Sequence, residues 1–540
     1  MTADASFVVE DQTAALAALG APGAYAAIDT GAIDKVARID THGSVVFLAG
    51  DRVVKVKRAV RFPYMDFGTL ERRRAMCAAE IVVNRRVAPS LYLGVAPVMA
   101  TADGAALGPV REPDATVGDE ARAIEWAVVM RRFDEAGLLS RLADSGGLTA
   151  DLVARLAASI ARFHEAAPSS RAHAGEDAYR EAVETDAAQM RARGPLLDQA
   201  ATAIIERRMR GMLEPLLPLV ARRQASGAVR RVHGDLHLRN VCLVDGEPTP
   251  FDSIEFSDRI ATIDVLYDLA FLLMDLSRRN LGGLANVVLN HYLWRADGPA
   301  EAPNLEALAL LPLWLARRAC VRAFVDAAAA ELGGDPANLA RVGAEARAYQ
   351  AAAVGFLTPV APSLVAVGGL SGTGKTTLAM AMAPKLGRAP GAIVLRTDVE
   401  RKRMAGVAWD APLPPGHYTA ASSARAYAEV MRRAAVVLRA GQSVVVDAVF
   451  ARPEERAAVG RVARDTGVAF TGLWLEVPEP VAVSRIESRR GDASDATSAV
   501  ARRQREYDLG TMEWPRLDAS RDLAAILADA SREVAASGAA

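Results

Sequence analysis

The chain has 540 residues, 51% of them hydrophobic and 24% charged, with a formal net charge of −1. That length exceeds a single core, and the composition is that of an ordinary globular protein. The balanced charge offers no broad basic track for nucleic acid, and the most apolar stretch, Ala307 to Ala316, is far shorter than the roughly 20 residues a membrane span needs.

Val36–Asp40, Val45–Leu48 and Arg52–Lys57 read as a three-strand meander, with Gly50-Asp51 at one hairpin turn. A helix is expected from about Leu70 to Val87, with Glu80 inside it, and a further strand over Glu125–Met130. The arginines Arg58, Arg61, Arg72, Arg73 and Arg74 read as the solvated start of that helix, with a site for an anionic substrate as the alternative. From Leu148 the period turns helical: Leu152, Leu156, Ile160 and Phe163 fall on one face. Helical spacing resumes between Tyr267 and Ala351, and the two prolines of Leu357–Pro362 interrupt it. Apolar strands at Ser363–Val367, Ala392–Leu395, Ser443–Val446 and Gly472–Glu476 then alternate with helices, which implies a parallel sheet covered on both faces. Two domains are therefore expected. Residues 1–357 would hold a strand-rich lobe (about 30–135) and a helical lobe (about 136–357), and residues 363–540 an α/β unit.

Cys77, Cys242 and Cys320 lie far apart with no CxxC spacing, and the acidic N-terminus has no signal-peptide pattern. A cytoplasmic protein with reduced thiols is the expectation. Neither feature bears on oligomeric state.

Phosphoryl transfer requires a base at the acceptor hydroxyl, oxygen ligands for magnesium and cations on the phosphates. His233-Gly234-Asp235-Leu236-His237-Leu238-Arg239-Asn240 has the Asp-x4-Asn spacing that supplies a base, Asp235, and a metal ligand, Asn240. Asp252, after Phe251, stands where a second magnesium ligand belongs. Lys55 or Lys57 would meet the phosphates, with Glu80 as helix partner. Both lysines point to one face of their strand, so spacing does not choose between them, and Lys55 is preferred. Thr41-His42-Gly43-Ser44 has one glycine and is a weak phosphate loop.

His233-Gly234-Asp235 with Asn240 and Phe251-Asp252-Ser253-Ile254-Glu255-Phe256 resembles the aminoglycoside phosphotransferase and choline kinase branch of the kinase-like superfamily. The resemblance covers roughly Val36 to Met274. It implies a protein-kinase-like α+β fold, ATP and Mg2+ as cofactors, and a small hydroxylated acceptor. It also implies adenine binding along Glu125–Arg132 and a structural role for Asp268-Leu269-Ala270.

The second signature is a complete P-loop. Gly369-Leu370-Ser371-Gly372-Thr373-Gly374-Lys375-Thr376 follows an apolar strand and opens a helix. The backbone amides from Gly369 and Ser371 through Gly372, Thr373 and Gly374 to Thr377 would cradle phosphates, with Lys375 on the β and γ oxygens and Thr376 on magnesium. Asp398 follows the next strand and is the candidate base, with a helix N-cap as the alternative. Asp447, at the end of Val444–Val446, would order a magnesium water. Arg485 to Asp492 is similar to an arginine-bearing lid, in which Arg489 would meet the nucleotide.

Residues 363–513 resemble the small AAA-like kinases related to polynucleotide kinase and gluconate kinase. The whole chain resembles bifunctional fusions of the two kinase types, with a parallel-sheet P-loop NTPase domain at its C-terminal end. The expected function is ATP-dependent transfer of the γ-phosphate to hydroxyl groups of small molecules from two nucleotide sites. In the alternative, the P-loop domain is a regulatory ATPase that gates the first domain.

Overall fold

The computed structural model describes residues 7–28, 31, 33–62, 65–102, 104–115, 122–333, 336–488 and 493–538. The chain forms two compact units. One comprises Met1–Ala203, Gly227–Leu272 and Ala319–Ala351; the other comprises Ile204–Ser226, Leu273–Arg318 and Ala352–Ala540. No helix among the described residues is long and apolar enough to cross a membrane.

The first unit is built on β1 (Val36–Asp40), β2 (Ser44–Ala49), β3 (Arg52–Lys57), β4 (Tyr92–Thr101), β5 (Gly104–Leu107) and β6 (Ala123–Arg131). They form one antiparallel sheet in the order β1-β2-β3-β6-β4-β5. The alternation of β3 sends Val54 and Val56 into a core with Val45, Phe47 and Val129, and turns Lys55 and Lys57 to the other face. That face is covered by α1 (Leu70–Asn84), whose Thr69 cap accepts from the Arg72 amide.

The arginines before and within α1 are only in part a solvated start: Arg61 and Arg72 are exposed as expected, and Arg73 departs from the expectation. Arg58 pairs with Asp40, Arg61 and Arg72 pair with Asp66, and Arg74 lies over Trp126. Arg73 is fully buried, donating to Glu125 at 2.8 Å and to Glu10 at 2.8 Å. A guanidinium so enclosed needs both carboxylates to offset its desolvation. In the helical lobe, helix α2 (Ala150–Ala166) buries Leu156, Ile160 and Phe163 as its period predicted, while Leu152 is only half-buried.

The second unit contains α3 (Gly282–Arg295) and a five-stranded parallel sheet. Its strands are β7 (Ser363–Gly369), β8 (Ile393–Arg396), β9 (Val444–Asp447), β10 (Ala469–Glu476) and β11 (Arg516–Asp518), in the order β8-β9-β7-β10-β11. Leu364–Val367 and Val444–Val446 are wholly buried, as strands covered on both faces must be. Helix α4 (Lys375–Met382) follows the glycine loop, α5 (Thr397–Met404) follows β8, and α6 (Ala420–Arg439), α7 (Glu479–Ser488) and α8 (Ser498–Gln504) complete the surround used below. Asp398 lies in the first turn of α5, and the residue at the N-cap is Arg396, so Asp398 is not the cap.

Candidate active sites

In the first unit β3 and α1 bring Lys55 to Glu80, with Nζ donating to Oε1 at 3.0 Å. The same ammonium donates to Asp252 Oδ1 at 2.6 Å, although that residue is 197 positions away. Lys57 pairs with the other Glu80 oxygen and with Glu255, and is enclosed at 1% exposure. Asp252 sits at φ +62°, a left-handed conformation uncommon outside glycine, and its amide donates to the Tyr92 hydroxyl at 3.0 Å. Desolvation pushes the Asp252 carboxyl up, but Lys55 more than reverses this and holds it below its ordinary range.

The catalytic-loop signature folds as a tight hub around Asp268. Its carboxylate accepts the amides of His233 at 3.3 Å and Gly234 at 2.8 Å, and meets the His164 ring at 3.0 Å. Gly234 has φ +84°, and a Cβ there would stand 3.1 Å from Ile254 and 3.2 Å from Ala261. The His233 ring contacts the Phe251 carbonyl at 2.9 Å, so the loop is tied to the strand end that precedes Asp252. Asn240 Nδ2 donates to Asp235 Oδ2 at 3.0 Å, and His237 lies 3.3 Å from the same oxygen. Burial opposes ionisation of Asp235, but His237, then Arg322 and His233, outweigh it and hold the carboxyl well below the usual carboxylate range. An ionised, oriented carboxylate suits the acceptance of a hydroxyl proton.

Lys55, Glu80 and Asp252 are thus linked, as are Asp235 and Asn240, while Lys57 faces inward. Sequence reasoning assigned no role to His237, Tyr92, Glu255 or Arg322. Only Glu255 carried a signal, as the acidic residue three places beyond Asp252.

In the second unit the glycine loop runs from β7 into α4. Gly369, Gly372 and Gly374 have φ of +144°, +84° and +90°, and a Cβ on Gly372 would lie 2.6 Å from the Ala482 carbonyl. Lys375 Nζ donates to the Leu370 carbonyl at 3.0 Å, folded over the loop. The Ser371 amide donates to Gln504 of α8 at 2.8 Å, and the Thr373 hydroxyl to Leu370 at 2.8 Å. Thr376 donates to Asp447 Oδ2 at 2.5 Å, so two candidate oxygen ligands stand side by side. Arg396 spans both, with Nε to Asp447 at 3.2 Å and Nη2 to Thr376 at 3.0 Å.

Ser371 through Thr377, with Arg396, Asp447 and Gln504, line a cavity of about 1640 Å³ that also receives Asp398, Arg401, Tyr418 and Arg485. Burial, with Asp447 adding to it, raises the Asp398 carboxyl against the pull of Arg396, Arg401 and Lys375. Arg485 donates to the Thr373 carbonyl at 3.4 Å and to Ala519 at 2.9 Å. Arg489 lies outside the described residues. No sequence signal pointed to Gln504. Arg396 and Arg401 flank Asp398 in sequence, but spacing alone assigned them no role.

A kinase-like lobe carrying one phosphotransfer constellation, joined to a parallel-sheet P-loop kinase-type domain carrying another, defines a two-domain phosphotransferase. Residues 95–305 match the Phosphotransferase enzyme family, and residues 364–508 match the AAA domain. The chain belongs to the same family as Uncharacterized protein Rv2004c of Mycobacterium tuberculosis (strain ATCC 25618 / H37Rv). It is 32% identical to that relative over 486 residues, 87% of this chain and 90% of the relative. Among solved structures it is similar to a gluconokinase from Sinorhizobium meliloti 1021, with 22% identity over 33% of this chain and 94% of that one and a TM-score of 0.24. It is also similar to a choline/ethanolamine kinase family protein from Mesorhizobium loti, with 14% identity over 62% of this chain and 97% of that one and a TM-score of 0.34.

Proposed function

We propose that both units bind ATP with Mg2+ and transfer the γ-phosphate to hydroxyl groups of small molecules. In the first unit Asp235 takes the acceptor proton, Asn240 and Asp252 hold the metal, and Lys55 meets the phosphates. In the second, the loop from Gly369 to Thr377 cradles the phosphates, Thr376 and Asp447 hold the metal, and Asp398 is the base. Bound magnesium supplies charge neutralisation between phosphate oxygens. The oxygen donors present, an amide and a carboxylate in one site and a hydroxyl and a carboxylate in the other, fit a hard cation that keeps most of its ligands as water and phosphate.

The observation that carries this reading is Asp398. Its side chain makes no hydrogen bond or ion pair among the described residues and lines the cavity that holds Lys375 and Asp447. A carboxylate left in that state is suited to a substrate hydroxyl, which a regulatory ATPase has no need of. Arg401 adds a charge to the acceptor side. It is 8% exposed, lies over the Tyr418 ring at 5.0 Å and donates to the Ser422 and Ser423 hydroxyls and the His417 carbonyl, and its Nε has no hydrogen-bond partner among the described residues. An acceptor bearing a carboxylate or phosphate would complete it.

The test uses the full chain in three forms: wild type, Asp235→Asn and Asp398→Asn. ADP release is measured against neutral and anionic hydroxylated metabolites. An anionic acceptor should stimulate the wild type and Asp235→Asn, and stimulation should fall about 100-fold or more in Asp398→Asn. If no metabolite stimulates any form, or if Asp398→Asn responds like wild type, the transferase reading of the second site is wrong.

A further inference from the structure

Helix α3 lies within the segment that matches the phosphotransferase family, yet it packs on the outer edge of the C-terminal sheet. Strand β8 is an end strand of that sheet. Its outer side would leave backbone groups unpaired, which is costly once they are buried. Helix α3 meets them with a stripe of side chains at i, i+4 and i+8. Asn290 Oδ1 accepts the Val394 amide at 2.7 Å. Asn286 and Asn290 donate to the Ala392 carbonyl at 3.0 and 3.2 Å. Trp294 Nε1 donates to the Val394 carbonyl at 2.9 Å. Both asparagines are fully buried and Trp294 is 7% exposed. The helix stands in for a sixth strand.

The last residue of the stripe reaches the chemistry. The Trp294 ring lies 5.5 Å from the guanidinium carbon of Arg396, the residue that spans Thr376 and Asp447. Arg403, five residues beyond Asp398 on α5, donates to the carbonyls of Leu293 and Trp294 at 3.0 and 3.3 Å. One helix end therefore fixes both the arginine behind the candidate metal ligands and the helix that carries the candidate base.

We infer that Trp294 is a positioning residue of the P-loop site: its ring holds Arg396 across Thr376 and Asp447, so that a helix from the phosphotransferase segment completes the second active site. Indole is the strongest cation–π partner among side chains, and the enclosed guanidinium has little water to compete with the ring. The P-loop unit thus takes part of its working structure from ahead of residue 360. This inference rests on the Gly369–Thr377 loop as a nucleotide cradle, a reading that loss of one calorimetric site in Lys375→Ala would secure separately.

The experiment uses the full chain with Asp235→Asn throughout, so that ADP release reports the second site. Trp294→Leu removes the ring, whereas Trp294→Phe keeps a ring face for Arg396 and loses only the bond to Val394. Nucleotide affinity is measured by calorimetry in EDTA and across a Mg2+ titration, with thermal melts alongside. Trp294→Leu should lower ADP release about 5- to 30-fold and raise the Mg2+ midpoint, with metal-free ADP affinity within about twofold of the parent. Trp294→Phe should recover most of both losses. Equal behaviour of the two variants, or a parental Mg2+ midpoint in Trp294→Leu, overturns the inference. Should Trp294→Leu fail to fold, Arg396→Lys decides: it keeps the charge but cannot span two oxygens. A raised Mg2+ midpoint at near-parental melting temperature supports the positioning chain, and an unchanged midpoint overturns it.

Discussion

Lys55 on β3 and Asp252 on the loop after Phe251 are joined by a 2.6 Å ion pair across the cleft of the first unit. That pair separates two lysines which their spacing alone left equivalent. Lys55 keeps 16% of its side chain exposed and touches a candidate metal ligand, whereas Lys57 is sealed between Glu80 and Glu255.

Replacing the two lysines should therefore give different phenotypes. Lys55→Ala is expected to leave the melting temperature nearly unchanged and to reduce turnover at the first site by about 100-fold, since a cation that meets transition-state charge is lost. Lys57→Met leaves the buried Glu255 without its cation and Glu80 with Lys55 alone, and should cost about 3–5 kcal/mol of stability. Thermal melts and ATP kinetics of both variants in a Lys375→Ala background read the two effects separately. A stable Lys57→Met protein that has lost ATP binding would transfer the phosphate role to Lys57.

The residues legible in the sequence were those whose chemistry depends on local spacing. Asp235 and Asn240, or Gly369 through Thr376, are close along the chain, and the turn or loop that joins them makes the geometry. The meander and four strands of the parallel sheet were legible because their apolar runs were long enough to carry a period. β11 has only three residues, Arg516–Asp518, and showed none. What stayed hidden depends on partners distant in sequence. Arg73 looked like one more surface arginine until Glu125 and Glu10 enclosed it. The asparagines of α3 lie in an apolar, weakly periodic helix, where nothing local shows that their amides answer strand β8 about a hundred residues later.

Gly372 offers a direct test of the loop. Its φ of +84° is strained for any residue with a Cβ, and that Cβ would stand 2.6 Å from the Ala482 backbone oxygen of α7, so loop or helix backbone would have to shift. Gly372→Ala should cost about 1–3 kcal/mol in local strain and abolish nucleotide binding at the second site, with the first site intact. Calorimetry of the full chain should fall from two ATP sites to one. Two sites of undiminished affinity would contradict the assignment of this loop.

His291 on α3 gives a pH signature for the docking of that helix. Its ring packs against Trp294 at 4.6 Å and Trp409 at 5.5 Å. Burial, then Arg295 and Arg396, lowers its pKa from 6.5 to about 4, with Asp410 opposing weakly. The folded value lies below the unfolded one, so between these limits the unfolded chain binds more protons. The contribution of the neutral ring is complete above pH 6.5 and is lost as the pH falls through 6.5 toward 4. His291→Phe keeps the aromatic packing and removes the titration. Relative to its own value at pH 7.5, the variant should therefore be more stable than wild type at pH 4.5 by roughly 2 kcal/mol. Urea unfolding at both pH values, followed by hydrogen exchange at the Val394 amide that Asn290 holds, reads the effect where α3 meets β8. Parallel pH profiles for the two proteins would show that His291 is not enclosed against the tryptophans, and that α3 does not stay docked on the strand in solution.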